Sequence, residues 1–373
     1  MAARTGGGPA GTRSRAPVPH RLDRPALGAW AGTRLGVLVL SVSVAAIWSY
    51  GDFKDSFLER WTQWDVDLFI EIAKYGYRGD PGRPPDAGLP AFFPGLPILI
   101  RTVHYAVPSW ELSALLISLV AGGVAMVALA RLGGAGTGPK AVLALLLSPY
   151  AVFLFAGYSE SLFLAFAIPA WLLARQHRWE AAMLCAMGAA CVRVTGIFLA
   201  VALIVEFLVN DRRWRLSPLL VMPFLPVAVY TLYQWRRTGD WLAWQHAQQE
   251  GWGRSLAWPW EAFHTTWQAA FGEHNEFTGA FRVELAGAVV GVALTCWLLF
   301  RRRWPEAVYV GLPLASLLTS AFYLSIGRAT LLWWPLWLAI GASRRPVYAV
   351  VILLSVPLLV WEIVLFTSGS WAG

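Results

Sequence analysis

The sequence predicts an all-α polytopic membrane protein with about eleven transmembrane helices. Three observations predict it. The chain of 373 residues is 57% hydrophobic and only 14% charged, where soluble domains carry roughly a quarter charged residues. Its mean hydropathy is +0.52. Apolar stretches of about 15–22 residues recur along it, bounded by arginines, as membrane spans require. No long soluble segment interrupts them, so residues 35–367 read as one membrane domain.

The elements follow in order. Residues 1–34, rich in Gly, Pro and Arg, are expected to be a disordered basic cytoplasmic tail. No A-x-A-like cleavage site follows the first apolar run, 35–50, so that run is expected to be a retained anchor. The first outer loop, 51–109, holds two helices. One covers 57–72, where Phe57, Trp61, Trp64, Leu68 and Ile72 recur at spacings of three and four. The other covers 91–107, whose Pro94, Pro97, Arg101 and His104 favour a juxtamembrane helix over a span. Spans are then expected at 110–130, 141–157, 160–174, 180–192, 195–209 and 217–235. A second outer loop, 236–282, is dense in Trp, Gln and His, with Trp258-Pro259-Trp260 near its middle. The last spans are 283–300, 306–323, 329–342 and 346–367, before a short outer tail, 368–373. Residues 180–209 are short for two full crossings, so half-helices broken around Arg193-Val194-Thr195-Gly196 are expected there.

The charges orient these spans. The tail carries Arg4, Arg13, Arg15, Arg21, Arg24 and Arg34 against Asp23. The remaining alternate turns carry Arg131 and Lys140; Arg175 and Arg178; Arg212, Arg213 and Arg215; Arg301–Arg303; and Arg344 and Arg345. Residues 51–90 instead hold eight acids and five bases. The N-terminus is therefore expected inside and the C-terminus outside. The net charge of +8 reads as orientation and attraction to anionic lipid rather than as nucleic-acid binding. Cys185, Cys191 and Cys296 lie in apolar segments without metal-ligand spacing and read as small hydrophobes.

Five charged residues map to the outer side. Asp65 falls on the apolar stripe if the 57–72 helix is continuous, placing a proton acceptor against protein or membrane; the plainer role is capping a helix. Asp67 falls on a more polar face. Their Asp-x-Asp spacing matches the metal-binding pairs of nucleotide-sugar enzymes, but nucleotide sugars are cytoplasmic and this loop is expected outside. Glu160 lies in the tight turn Gly157–Ser161, where it either serves the site or caps the next helix. Arg193 sits between two apolar half-helices with no acid within a turn, so it binds an anion such as a phosphate, reaches a distant acid such as Glu160, or snorkels to the interface. Arg328 opens the span at 329–342. A carboxylate base, a second acid and two arginines beside an apolar bundle suit group transfer from a lipid-linked phosphate donor. No cofactor is written in the sequence; a divalent metal ion is left open.

An ordered set of short motifs resembles the PIG-V family of mannosyltransferases and its bacterial relatives, within the GT-C superfamily. The set comprises Trp64-Asp65 with Ile72-Ala73-x-x-Gly76-Tyr77; Ala91-Phe92-Phe93-Pro94 with Pro97; Ser148-Pro149; Tyr158-Ser159-Glu160-Ser161-Leu162-Phe163; Arg193-x-x-Gly196; and Ser325-x-x-Arg328 with Pro335. It runs from about residue 60 to 340. The chain departs from the pattern at Ala329, where relatives often have Tyr, and at Leu68-Phe69, where they often have His or Tyr. The resemblance implies a GT-C-like bundle and a polyprenyl-phosphate-linked mannose donor used on the outer face with inversion. It implies Asp65 as catalytic base, and Trp64, Asp67, Tyr158, Glu160, Arg193 and Arg328 as substrate-binding residues, the two arginines lining the donor phosphate. A glycolipid, a lipoglycan or a secreted protein is the expected acceptor. The alternative function is a transporter or flippase of a lipid-linked sugar. Such proteins often show repeats with paired broken helices, and no repeat is visible here.

Overall fold

Helices dominate because nearly every long segment is apolar, and a backbone away from water must satisfy its own hydrogen bonds. The computed structural model describes residues 21–47, 57–84, 86–272 and 277–370. Among them are fifteen α-helices and no strand; one antiparallel bridge joins Leu256 to Ser320. The helices are α1 (Asp23–Ile47), α2 (Asp65–Tyr75), α3 (Gly95–His104), α4 (Trp110–Leu146), α5 (Ser159–Arg175), α6 (Trp179–Val192), α7 (Gly196–Asn210), α8 (Leu225–Thr238), α9 (Ala243–Trp252), α10 (Pro259–Phe271), α11 (Thr278–Phe300), α12 (Trp304–Leu318), α13 (Ile326–Ala329), α14 (Trp334–Gly341) and α15 (Arg345–Thr367). Five segments are long and apolar enough to cross a membrane: Asp23–Ser43, Trp110–Leu146, Trp214–Thr238, Thr278–Phe300 and Arg345–Thr367. The chain is thus all-α with the character of a multi-pass membrane protein.

Several elements differ from expectation. α1 starts at Asp23, inside the stretch expected to be disordered. Arg131 grips Asp23 with two hydrogen bonds, Nε at 2.9 Å and Nη2 at 2.6 Å. The Trp30 ring fills the space left by Gly122, where a Cβ would lie 2.2 Å from it. Arg34, 2% exposed, donates from Nη1 to the Ala151 carbonyl at 3.0 Å. These contacts order what composition alone reads as a tail. Residues 1–20 and 371–373, and 48–56 of the first span and loop, lie outside the described residues.

The expected span 110–130 and the start of the expected span 141–157 form a folded-back pair within α4, and the rest of 141–157 leaves the α-helix for a 3₁₀ run over Pro149–Leu154. Gly134 leaves helical geometry at φ 68° and ψ −177°. A Cβ on Gly138 would lie 2.1 Å from the Ala130 carbonyl, an approach that a straight helix forbids for residues eight apart. The expected span 217–235 begins as a 3₁₀ run over Trp214–Phe224 and becomes α8; Pro218 and Pro223 withhold the N–H groups that an α-helix needs. The segment 329–342 is α13, a 3₁₀ turn over Thr330–Leu332, then α14 with Pro335 in its first turn. α6 and α7 are short and break at Arg193, as their combined length requires. In the second loop, α10 turns Trp260, Phe263, Trp267 and Phe271 outward along one face.

Four of the arginine-rich turns meet in two pairs. Tyr348 donates to the Lys140 carbonyl at 3.1 Å, and Arg213 donates from Nη2 to the His177 carbonyl at 2.5 Å. The turns bearing Asp65, Glu160, Arg193 and Arg328 form a separate cluster.

Candidate functional site

The helix expected over 57–72 is not continuous. It stops after the 3₁₀ turn Glu59–Trp61, and Trp64 adopts φ 58°, ψ −120° before α2 starts. Positive φ is rare for a large side chain and locates strain here. The break makes Asp65 the first residue of α2, so its carboxylate sits at a helix N-terminus rather than on a mid-helix stripe. That is the end of the helix dipole where an acidic side chain is best accommodated. Asp65 and Trp64 both face a cavity of about 370 Å³.

Glu160 occupies the first turn of α5, and its side chain is 1% exposed. Its Oε1 accepts from Arg193 Nη1 at 2.8 Å and lies 3.5 Å from Arg328 Nε. Arg193 Nη1 also donates to Ser159 Oγ at 2.6 Å. Arg193 therefore has an acid, drawn from 33 positions away in the sequence. The tight path that presents Arg193 depends on Gly196, where a Cβ would lie 2.4 Å from Ala190 Cα.

Arg328 is held from both ends. Its Nη1 donates to Asp65 Oδ2 at 3.3 Å, and its guanidinium stacks 5.3 Å from the Phe153 ring and 5.5 Å from that of Tyr158. The Asp65 and Glu160 carboxylates on either side of it offset the cost of burying its charge. The backbone beneath it is fixed by Glu284 of α11, whose carboxylate accepts from Ser325 N and Ile326 N, both at 2.6 Å, and from Gly327 N at 3.4 Å. Gly327 passes so close to Tyr150 that a Cβ would lie 2.5 Å from its hydroxyl.

The cavity gathers Asp65, Trp64, Arg193 and Arg328 of the expected set. Tyr158 and Glu160 stand behind its wall. Tyr158, 1% exposed, donates to the Gln63 carbonyl at 3.2 Å; burial and then the Asp65 charge push its hydroxyl pKa well up, so it stays neutral. These two position the arginines rather than line the cavity. Asp67 is not at the cavity; it is exposed, two residues into α2. Among the described residues no three His, Cys, Asp or Glu side chains converge as metal ligands.

Sequence reasoning missed four contributors. Arg254, Thr195 and Gln248 line the cavity, and Glu284 shapes it. Arg254 follows Gly253, which ends α9 in the left-handed region at φ 63°. Its Nη2 donates to the Leu324 carbonyl at 3.1 Å, while its Nε is buried without an acceptor. Burial, then the Arg328 charge, lowers its pKa to about 10. Glu284 carried a readable signal: a lone acid inside an apolar span. Arg254 carried a weaker one, a cation next to glycine in an outer loop. Apolar walls come from Phe198 of α7, Tyr309 and Leu317 of α12, and Leu332 and Trp333. Trp244, Gln248 and Trp252 of α9 supply an aromatic and polar rim. The arrangement offers one carboxylate and three guanidiniums to a ligand that is part anion, part apolar. No protein-family model and no curated protein matches the chain.

Proposed function

We propose that the protein is a membrane glycosyltransferase. In this reading it moves a sugar, mannose by the resemblance, from a polyprenyl-phosphate donor to an acceptor hydroxyl on the outer face, with inversion. The observation that carries the reading is the Asp65 carboxylate facing the same cavity as three guanidiniums, beside apolar helix walls. The acceptor oxygen bonds to the anomeric carbon as the hydroxyl proton passes to Asp65. The bond from that carbon to the phosphate oxygen breaks, and its electron pair leaves with the polyprenyl phosphate. Arginines beside the phosphate stabilise the charge that develops there. Inversion places the base and the phosphate on opposite faces of the sugar. The acceptor is a glycolipid, a lipoglycan or a secreted protein.

The same reading takes the chain across the cell membrane eleven times, with a GT-C-like bundle. The folded-back α4, α5, the short pair α6 and α7, α12 and the α13–α14 segment add to the longer helices. The arginine-rich turns then face the cytoplasm and the cavity faces outward, in keeping with the positive-inside pattern.

The test is transfer by the purified protein in detergent or vesicles, given polyprenyl-phosphate mannose and a glycolipid acceptor. Formation of mannosylated product that depends on Asp65 supports the reading. Translocation of the lipid-linked sugar across vesicles without any transfer would replace it with a flippase.

A further inference from the structure

Three guanidiniums line the cavity, and they are not equivalent. Arg193 spends its Nη1 on Glu160 and Ser159. Arg328 is shared between Asp65 and Glu160. The third nearby acid, Glu284, is taken up by three backbone N–H groups. Among the described residues Arg254 forms no salt bridge, and one of its donors, Nε, is buried with no acceptor. Thr195, at the start of α7, also lines the cavity, and its hydroxyl is buried without a partner. Buried polar groups are satisfied in the great majority of cases, so two orphans in one cavity mark a place for a ligand. Both can donate, and the residues that line the cavity carry three guanidiniums against the one carboxylate of Asp65, with Glu160 and Glu284 outside the lining, so an anion fits here. The adjoining Phe198, Leu317 and Leu332 give that anion an apolar neighbour.

We infer that Arg254, with the Thr195 hydroxyl, anchors the phosphate of a prenyl-phosphate lipid, while Arg193 and Arg328 chiefly hold the two carboxylates in place. This rests on the reading of the cavity as a site for a lipid-linked sugar. It moves the phosphate contact from the arginines named by the resemblance to one in the second outer loop. That loop is braced where Arg254 needs it. Ala321 N donates to the Ser255 carbonyl at 2.9 Å, and Ala257 N to the Thr319 carbonyl at 2.8 Å. The strand-like pairing ties the Arg254 segment to the segment that leads into Arg328.

The test is isothermal titration of the full-length protein in detergent with farnesyl phosphate, farnesol and inorganic phosphate. Arg254→Gln is expected to weaken farnesyl phosphate binding by about tenfold or more, because a charged hydrogen-bonding partner is lost. Arg254→Lys, which keeps the charge and loses the Nε donor, should fall between Gln and wild type and serves if Gln does not fold. Thr195→Val should weaken binding by a smaller factor, and farnesol binding should not change in any of the three. Farnesyl phosphate binding within twofold of wild type in the Arg254 variants would overturn the assignment. So would inorganic phosphate binding as tightly as farnesyl phosphate, which would make the site one for the free ion. If Arg254-dependent binding holds but no sugar is transferred by the wild type, the anchor stands and only the transferase reading falls.

Discussion

Arg193 Nη1 donates to Glu160 Oε1 at 2.8 Å, tying the break between α6 and α7 to the first turn of α5. Glu160 is 1% exposed and Arg193 24%, so the pair is largely screened from water. Removing one member of such a pair leaves the other uncompensated. Arg193→Met and Glu160→Gln are each expected to lower the unfolding midpoint in detergent. The double variant should recover about 1–3 kcal/mol of the summed loss. Strictly additive losses in a thermal denaturation cycle would show that the two side chains are not coupled.

Asp65 is expected to be the residue whose change costs the most activity. Asp65→Asn keeps the size and one acceptor oxygen for Arg328 but removes the proton acceptor, so transfer should fall by about 10²–10⁴-fold, more than any loss of folded protein explains. Asp67→Asn should change transfer by less than about threefold, since Asp67 is exposed and off the cavity. Transfer assays on both variants decide it. Near wild-type turnover by Asp65→Asn would leave that residue a helix-terminal acid and no more.

Glu284 should act through Arg328. Glu284→Ala strands three N–H groups and is expected to cost about 2–4 kcal/mol of stability. Glu284→Gln keeps one acceptor oxygen and should stay folded. Its transfer should fall mainly through kcat, by about tenfold, as Arg328 loses its register with Asp65. An unchanged kcat in a stable Glu284→Gln protein would remove the positioning role.

Asp211 links the turns at the far end. It accepts from Arg213 Nε at 2.6 Å, lies 2.8 Å from His177 Nδ1, and accepts from Trp179 Nε1. Arg213 foremost, and then His177 and Trp179, hold its carboxyl well below the usual range. That contribution is present above the unfolded carboxyl value of about 4 and is lost as pH falls toward the depressed folded value. Asp211→Asn should lose about 1–2 kcal/mol at neutral pH, the partners being half-exposed. The difference from wild type should shrink in acid denaturation. A difference that does not change with pH would point to packing instead.

Topology has its own check. In a cysteine-free background, cysteines placed near Asp65, Ser161 and Arg328 should label from outside intact cells. Those near Arg178, Arg213 and Arg302 should not. External labelling at Arg178 would invert the orientation and take the cavity to the cytoplasm.

The class of protein was legible because hydropathy and arginine placement are local, additive signals. The cluster was half legible for the same reason: charge alternation sorts turns by side, and Asp65, Glu160, Arg193 and Arg328 fall on one side. Pairing is not local. Glu160 was readable only as one of two open outcomes for Arg193, a distant acid or a bound anion, and the structure shows the acid. The break at Trp64 is likewise invisible to a periodic pattern, because Phe57 to Ile72 keep helical spacing across a residue at positive φ. Order in 23–34 depends on Arg131 and Gly122, a hundred positions away, so composition misreads it.

The Asp65–Arg328 contact spans 263 positions of sequence, and this bears on how the protein is made. Both acids of the cluster leave the ribosome long before the cation that joins them. During synthesis the early helices must enter the bilayer carrying Asp65 unmatched and Glu160 with Arg193 alone. The cavity is completed only when α13 has been made. A chain that stops before residue 328 therefore leaves the Asp65 carboxylate without the guanidinium that pairs it.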